Sequence, residues 1–195
     1  MAAATSPLKL IVGLGNPGEE YAGTRHNAGF MVIGRMLDKV SAVLSEEHRY
    51  DSVLNHVRYR GHPAVLARPL TFMNVSGRAV GKMARVFELT PEQVFVIYDC
   101  LDLPLGRLRI RPSGSSGGHR GMESVIQAFG TDRIPRLRVG IGRQEDKQTI
   151  SYVLSPWSPD ELRLVDEVME TAADATLAAF RYGVEKAMDR YNGWQ

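Results

Sequence analysis

The stretch Lys9-Leu-Ile-Val-Gly-Leu-Gly-Asn-Pro-Gly-Glu-Glu-Tyr-Ala-Gly-Thr-Arg-His26-Asn27 decides how the chain folds. Residues 8–14 read as a buried strand: from Leu10 to Leu14 the run is apolar and continuous rather than alternating, which is the pattern of a strand buried on both faces. The run breaks at Gly13, Gly15, Asn16, Pro17 and Gly18, a concentration of turn residues. Beyond it, 28–40 carry a helical apolar period, with Phe30, Ile33 and Leu37 expected on the buried stripe. A strand, a tight turn and a helix, with a polar amide at the strand end and His26 at the helix mouth, place chemistry at the carboxyl end of a central strand.

Gly13-Leu-Gly-Asn-Pro-Gly18 spells the dinucleotide fingerprint, but its context is wrong. In a nucleotide site the helix begins at the last glycine, so that its amino end faces a pyrophosphate. Here the polar stretch Glu19–Asn27 intervenes, and Asp38 falls inside the helix instead of at a strand end. The glycines are expected to let backbone approach backbone, or a substrate, around Asn16.

The rest of the chain alternates between the same two kinds of element. Residues 49–60 and 63–68 predict a hairpin about Gly61-His62-Pro63. Asn74 has the position of an N-cap for a helix reaching about Glu88, with Val80, Met83, Ala84 and Phe87 on its stripe. Val94-Phe-Val-Ile-Tyr98 is a β-prone run that delivers Asp99, and 105–111 and 136–142 read as further strands. Ser113–Gly121 is a glycine-serine loop leading into a helix that ends near Phe129. Ser158-Pro159 opens a long terminal helix carrying Leu162, Val165, Met169, Ala172 and Leu177. The pattern predicts a single α/β domain over 1–195, in three layers, with a twisted, mixed, partly parallel sheet flanked by helices and a helical C-terminus.

Composition excludes several function classes. The one cysteine, Cys100, rules out an intrachain disulfide and fits a reducing compartment, so a cytoplasmic location is expected. One cysteine and five scattered histidines argue against a structural zinc site. No apolar run approaches the roughly 20 residues of a membrane span, and the opening Met1–Lys9 has neither the apolar centre of a secretory signal nor the arginine of a transit peptide. The formal net charge of +2 is small, but its distribution is not even. Between Asp102 and Glu123 there is no acid, while Arg107, Arg109, Arg111 and Arg120 stand there and Arg133, Arg136, Arg138 and Arg143 follow. On strands, Arg107, Arg109 and Arg111 share one face, as do Arg136 and Arg138. Such rows suit phosphate, and with no base-reading helix they suit the backbone of an RNA stem.

His26 and Asp99 are the candidate chemical pair. A carboxylate at a strand end can fix an imidazole tautomer and stabilise the imidazolium. No Gly-x-Ser-x-Gly elbow or other nucleophile motif accompanies them, so water is the expected attacking group, with histidine as general base. An activated ester suits that chemistry better than an amide.

These segments, GLGNPG–Y–TRHN, PLTFMNVSG, YDCLDLPLGRLRIR, GSSGGHRG and RLRVGIG, resemble in content and order the signature segments of bacterial-type peptidyl-tRNA hydrolase, from about Leu8 to Gly142. The resemblance implies a monomeric α/β esterase that needs no cofactor and no metal. Such an enzyme cleaves the ester between peptide and tRNA and recycles peptidyl-tRNA dropped from ribosomes. It implies His26 as general base, Asp99 as its stabiliser, and Asn16 in telling an N-blocked from a free aminoacyl group. Tyr21, Phe72 and Asn74 would contact the tRNA 3′ end or the peptide, Met73 would line the site, and Arg111 and Arg138 would hold the tRNA 5′-phosphate. Two positions depart from the family pattern: Arg120 stands where asparagine is usual, and Cys100 where an acid is common. The alternative from another class is a non-catalytic RNA-binding protein on the same scaffold; a third is a small-ester hydrolase that does not use RNA, against which the arginine rows count.

Overall fold

The computed structural model describes residues 7–143 and 149–194. The expectation that Met1–Ser6 carry no leader lies outside these residues. One sheet of seven strands runs through the molecule: β1 (Leu10–Gly13), β2 (Ala42–Arg49), β3 (Ser52–Tyr59), β4 (His62–Pro69), β5 (Val94–Cys100), β6 (Leu108–Arg111) and β7 (Arg136–Gly140), in the spatial order β2-β3-β4-β1-β5-β7-β6. The central strands β4, β1, β5 and β7 are mutually parallel, and β2, β3 and β6 run antiparallel to their neighbours. The mixed, partly parallel sheet expected from the sequence is therefore present.

The continuous apolar runs have their physical explanation in the two cores. Leu10, Val12, Val94, Val96 and Tyr98 enter one core, together with α2 (Ser76–Val86) and α3 (Arg120–Phe129). Ile11, Phe95 and Ile97 enter the other, with α1 (Ala28–Lys39) and α5 (Pro159–Tyr182). Helices on both faces leave no polar face for β1 or β5. Alternation along β5 turns Asp99 to the side of Phe95 and Ile97, where α1 lies. The open edge of β6 is closed by α6 (Val184–Tyr191) and the residue after it: the Ile110 N–H donates to Asn192 Oδ1 at 2.7 Å, and Asn192 Nδ2 donates to the Ile110 carbonyl at 3.2 Å.

Several local expectations need correction. The buried stripe of α1 is Val32, Ile33 and Met36, one step round from the expected one, with Phe30 and Leu37 only half buried. β2 was not foreseen: it is an edge strand whose Ser45-Glu46-Glu47 segment shows no apolar alternation. Asn74 is not an N-cap. The chain enters α2 through a 3-10 turn, Met73–Val75, and no side chain caps it. Leu162 on α5 is half exposed. The helix after the glycine-serine loop begins at Arg120, with His119 as its N-cap.

Candidate active site

The parallel strands end on one side of the sheet, and the loops beyond them enclose a cleft of about 390 Å³. What brings α1 close enough to build it is a glycine pair. A Cβ on Gly13 would lie 2.2 Å from the Gly29 carbonyl oxygen, and one on Gly29 would lie 2.4 Å from the Leu14 nitrogen and 2.5 Å from the Ile97 oxygen. The fingerprint glycine thus serves contact between backbones, as its context indicated. The 3-10 turn Arg25–Asn27, which leads into α1, is thereby set against the end of β5.

Asp99 is the centre of the site, its side chain 1% exposed. Its Oδ1 and Oδ2 lie 2.9 and 3.0 Å from His26 Nδ1, and Oδ1 also lies 2.9 Å from His119 Nε2. Burial by itself pushes the Asp99 carboxyl up, but the charges and hydrogen bonds of His119 and His26 outweigh it and hold the group well below the usual carboxylate range. An ionised carboxylate only accepts. The proton of neutral His26 therefore sits on Nδ1, and Nε2 carries a lone pair that meets no protein donor among the described residues. His119 is fixed in the same way. Its Nδ1 accepts the Met122 backbone N–H at 3.1 Å, so its proton is on Nε2, donated to Asp99. His26 lines the cleft and keeps 14% of its side chain exposed.

Asn27 does for Asn16 what Asp99 does for His26. Its Oδ1 accepts the Asn16 N–H at 2.8 Å and its Nδ2 donates to the Asn16 carbonyl at 3.0 Å. Asn16 Oδ1 in turn accepts the Met73 N–H at 2.8 Å. Asn16 Oδ1 is thus spent within the protein, and its Nδ2, which meets no acceptor among the described residues, is left for a ligand. Asn16, Tyr21, His26, Phe72, Met73, Asn74, Asp99, Arg120 and Arg138 all border the same cleft. Phe72 and Asn74 are exposed there; Met73 is buried.

The arginine rows divide. Register pairs Arg109 with Arg138 and Arg111 with Arg136, so both rows share one face. Arg136, however, is 1% exposed and donates to the carbonyls of Gly114, Ser115, Asp132 and Ile134; it braces the glycine-serine loop and is unavailable to a ligand. Arg138 reaches Cys100 Sγ at 3.0 Å and Asp102 Oδ2 at 3.3 Å, and Arg143 reaches Asp102 Oδ1 at 3.1 Å. Arg111 is exposed and lies outside the cleft.

His119, Asn27 and Asp102 were missed as contributors. His119 lies in the glycine-serine loop of the sequence reading, and nothing local to it points it at Asp99. His26, Asp99 and His119 also form the one His/Cys/Asp/Glu cluster among the described residues compact enough to hold a metal ion. The facing atoms are already matched donor to acceptor, so the arrangement is satisfied as a hydrogen-bonded triad.

The peptidyl-tRNA hydrolase family model matches residues 10–195. The chain is 47% identical to a peptidyl-tRNA hydrolase of Aquifex aeolicus over 95% of its own length and 96% of that protein's, and 45% identical to one of Synechococcus elongatus over 94% and 91%. Its fold superposes on the crystal structure of peptidyl-tRNA hydrolase from Acinetobacter baumannii with a TM-score of 0.90 at 33% identity, covering 100% of this chain and 99% of that one. A family match over nearly the whole chain, two such relatives and a superposable fold leave one assignment: the chain belongs to the peptidyl-tRNA hydrolase family.

Proposed function

We propose that the chain hydrolyses the ester joining a peptide, or an N-blocked amino acid, to the 3′ end of tRNA, with water as nucleophile and His26 as general base. The observation that carries this reading is the contact of His26 Nδ1 with both oxygens of the buried Asp99 carboxylate, at 2.9 and 3.0 Å, in a residue that borders the cleft; a carboxylate only accepts, so Nδ1 donates and Nε2 is left as the basic nitrogen. A water on Nε2 gives up its proton as its oxygen attacks the ester carbonyl. The imidazolium, stabilised by Asp99, then returns the proton to the departing ribose oxygen. Positioned general-base catalysis of this kind contributes about 10²–10⁴-fold.

The remaining roles follow from what each group has left to offer. Asn16 Nδ2 donates to the amide carbonyl of a blocked amino acid; a free aminoacyl group has an ammonium there, which cannot accept. Asn74 offers an exposed amide beside it, and Tyr21 and Phe72 offer rings for an unstacked terminal base. Met73 lines the floor. Arg138 and exposed Arg111 hold phosphate of the acceptor stem, and Arg120, in place of the usual asparagine, adds a cation at the α3 start where RNA backbone passes. A monomer is what the family resemblance implies, and the lone thiol suits the cytoplasm, where such an enzyme serves translation by recycling peptidyl-tRNA dropped from ribosomes. No helix among the described residues is long and apolar enough to cross a membrane. A purely RNA-binding role is not favoured, since it would have no use for a base held in this tautomer.

The test is release of N-acetyl amino acid from tRNA, with unblocked aminoacyl-tRNA beside it and a chelator in both. Fast cleavage of the blocked substrate alone is expected. Equal rates on both would remove the role of Asn16, and activity restored only by a metal would remove the direct general-base mechanism.

A further inference from the structure

Arg25, next to the base, does not border the cleft, yet it is among the most elaborately held side chains in the protein. It is 4% exposed. Its Nη1 donates to Ser155 Oγ at 2.8 Å and to the carbonyls of Ser155 and Pro156 at 3.3 and 2.5 Å, and its Nη2 pairs with Glu161 at 2.6 Å. The guanidinium also lies 4.6 Å from the Tyr152 ring centre and 4.8 Å from that of Trp157. The main chain joins in: the Arg25 N–H donates to the Ser155 carbonyl at 3.2 Å, and Thr24 bridges Pro156. Every one of these partners belongs to α4 (Thr149–Val153), to the turn after it or to the start of α5.

Those partners matter because the same segment supplies an apolar wall of the cleft, through Ile150, Val153 and Leu154. Glu161 is itself fixed by closing the capping box of α5 with Ser158. A planar fork of donors between two rings, meeting two carbonyls, a hydroxyl and a carboxylate, is geometry that lysine cannot reproduce.

The geometry points to Arg25 as a positioning residue that fastens the apolar wall to the catalytic base, so that an apolar side chain of the substrate's peptide, seated on Ile150, Val153 and Leu154, is held in register with His26. This rests on the proposed hydrolysis, and deepens it by assigning the peptide's apolar side chain to α4. Loss of Arg25 should then do two things together: lower kcat, because His26 is less well aimed, and weaken the preference for apolar residues, because the wall is no longer set against it.

The experiment compares N-acetyl-leucyl and N-acetyl-glycyl esters of one tRNA. Wild-type enzyme is expected to favour the leucyl substrate in kcat/KM. Ile150→Ala, at a position 56% exposed, should narrow that ratio about three- to tenfold through KM. Arg25→Lys should narrow it to a similar extent and also lower kcat about tenfold on both substrates. Equal losses on both, with the ratio at its wild-type value, would overturn the proposal and leave Arg25 as part of the fold alone. Should Arg25→Lys fail to fold, Glu161→Gln keeps a capping-box residue and removes only the charge; a smaller shift of the ratio in the same direction is expected, and an unchanged ratio overturns the proposal. Wild-type protein inactive on both esters would instead refute the hydrolase reading itself.

Discussion

Replacing Asp99 by asparagine tests the tautomer argument, because it keeps the shape and changes only donors and charge. Asp99 accepts from His26 Nδ1 at 2.9 and 3.0 Å and from His119 Nε2 at 2.9 Å. An asparagine can keep the His119 bond through Oδ1, but its Nδ2 then faces a histidine nitrogen that already carries a proton. The pair is relieved when His26 moves that proton to Nε2 and accepts at Nδ1. That tautomer presents N–H, not a lone pair, to the water. The variant also loses the charge that stabilises the imidazolium at a buried position. A wrong tautomer in the comparable serine-protease triad costs about 10⁴-fold, and 10²–10⁴-fold is the expected range here, about 2.7–5.4 kcal/mol of barrier at 1.36 kcal/mol per decade. His119→Asn, which leaves the His26–Asp99 contact in place, should cost about tenfold. Single-turnover hydrolysis of N-acetyl-aminoacyl-tRNA at saturating enzyme reads the chemical step, and circular dichroism checks the fold. If Asp99→Asn hydrolyses within threefold of wild type while folded, Asp99 does not govern the proton on His26 and the reasoning fails.

The Asp99 contacts and others in the protein carry outcomes of their own. The Asp99 carboxyl is depressed in the folded state, so its contribution to stability is full above the unfolded value near pH 4 and is lost as pH falls below it; Asp99→Asn should flatten the acid limb of an unfolding titration, and an identical acid limb would count against it. Arg136→Met orphans four carbonyl contacts and should destabilise by about 3 kcal/mol or more by thermal or urea unfolding. Arg138→Met should leave unfolding nearly unchanged, raise KM, and lower the salt slope of tRNA binding by about one phosphate; swapped phenotypes would refute the division of the arginine rows. Gly29→Ala forces a Cβ to 2.4–2.5 Å from the backbone of Leu14, just past β1, and of Ile97 in β5, which should cost about 1–3 kcal/mol and lower hydrolysis by displacing the turn that carries His26; wild-type stability would show that α1 can yield there.

What the sequence revealed and what it hid have separate physical causes. Strands β1 and β5 were legible because burial on both faces demands unbroken apolar runs, and Asn16 and Asp99 stood out as polar residues where those runs stop. β2 was hidden because an edge strand carries little apolar pattern: Ser45, Glu46 and Glu47 show no apolar alternation. Arg136 and Arg138 look alike in an alternating strand, since alternation fixes the face but not what covers it; only the packed glycine-serine loop separates the buried brace from the available cation. Asn74 has the chemistry of a cap, yet the 3-10 turn at Met73 hands the chain to α2 without one and leaves the amide exposed. The second histidine on Asp99 depends on how α3 docks beside β5, and no local pattern around His119 encodes that.

On the proposed mechanism His26 performs the chemistry and does not hold the tRNA. The most direct measurement is on His26→Ala: the single-turnover rate for N-acetyl-aminoacyl-tRNA, with the Kd for the same substrate from the same preparation. A rate lower by about 10²–10⁴-fold is expected, with Kd within about threefold of wild type. A wild-type rate, or a rate loss recovered entirely by saturating with enzyme, would contradict it.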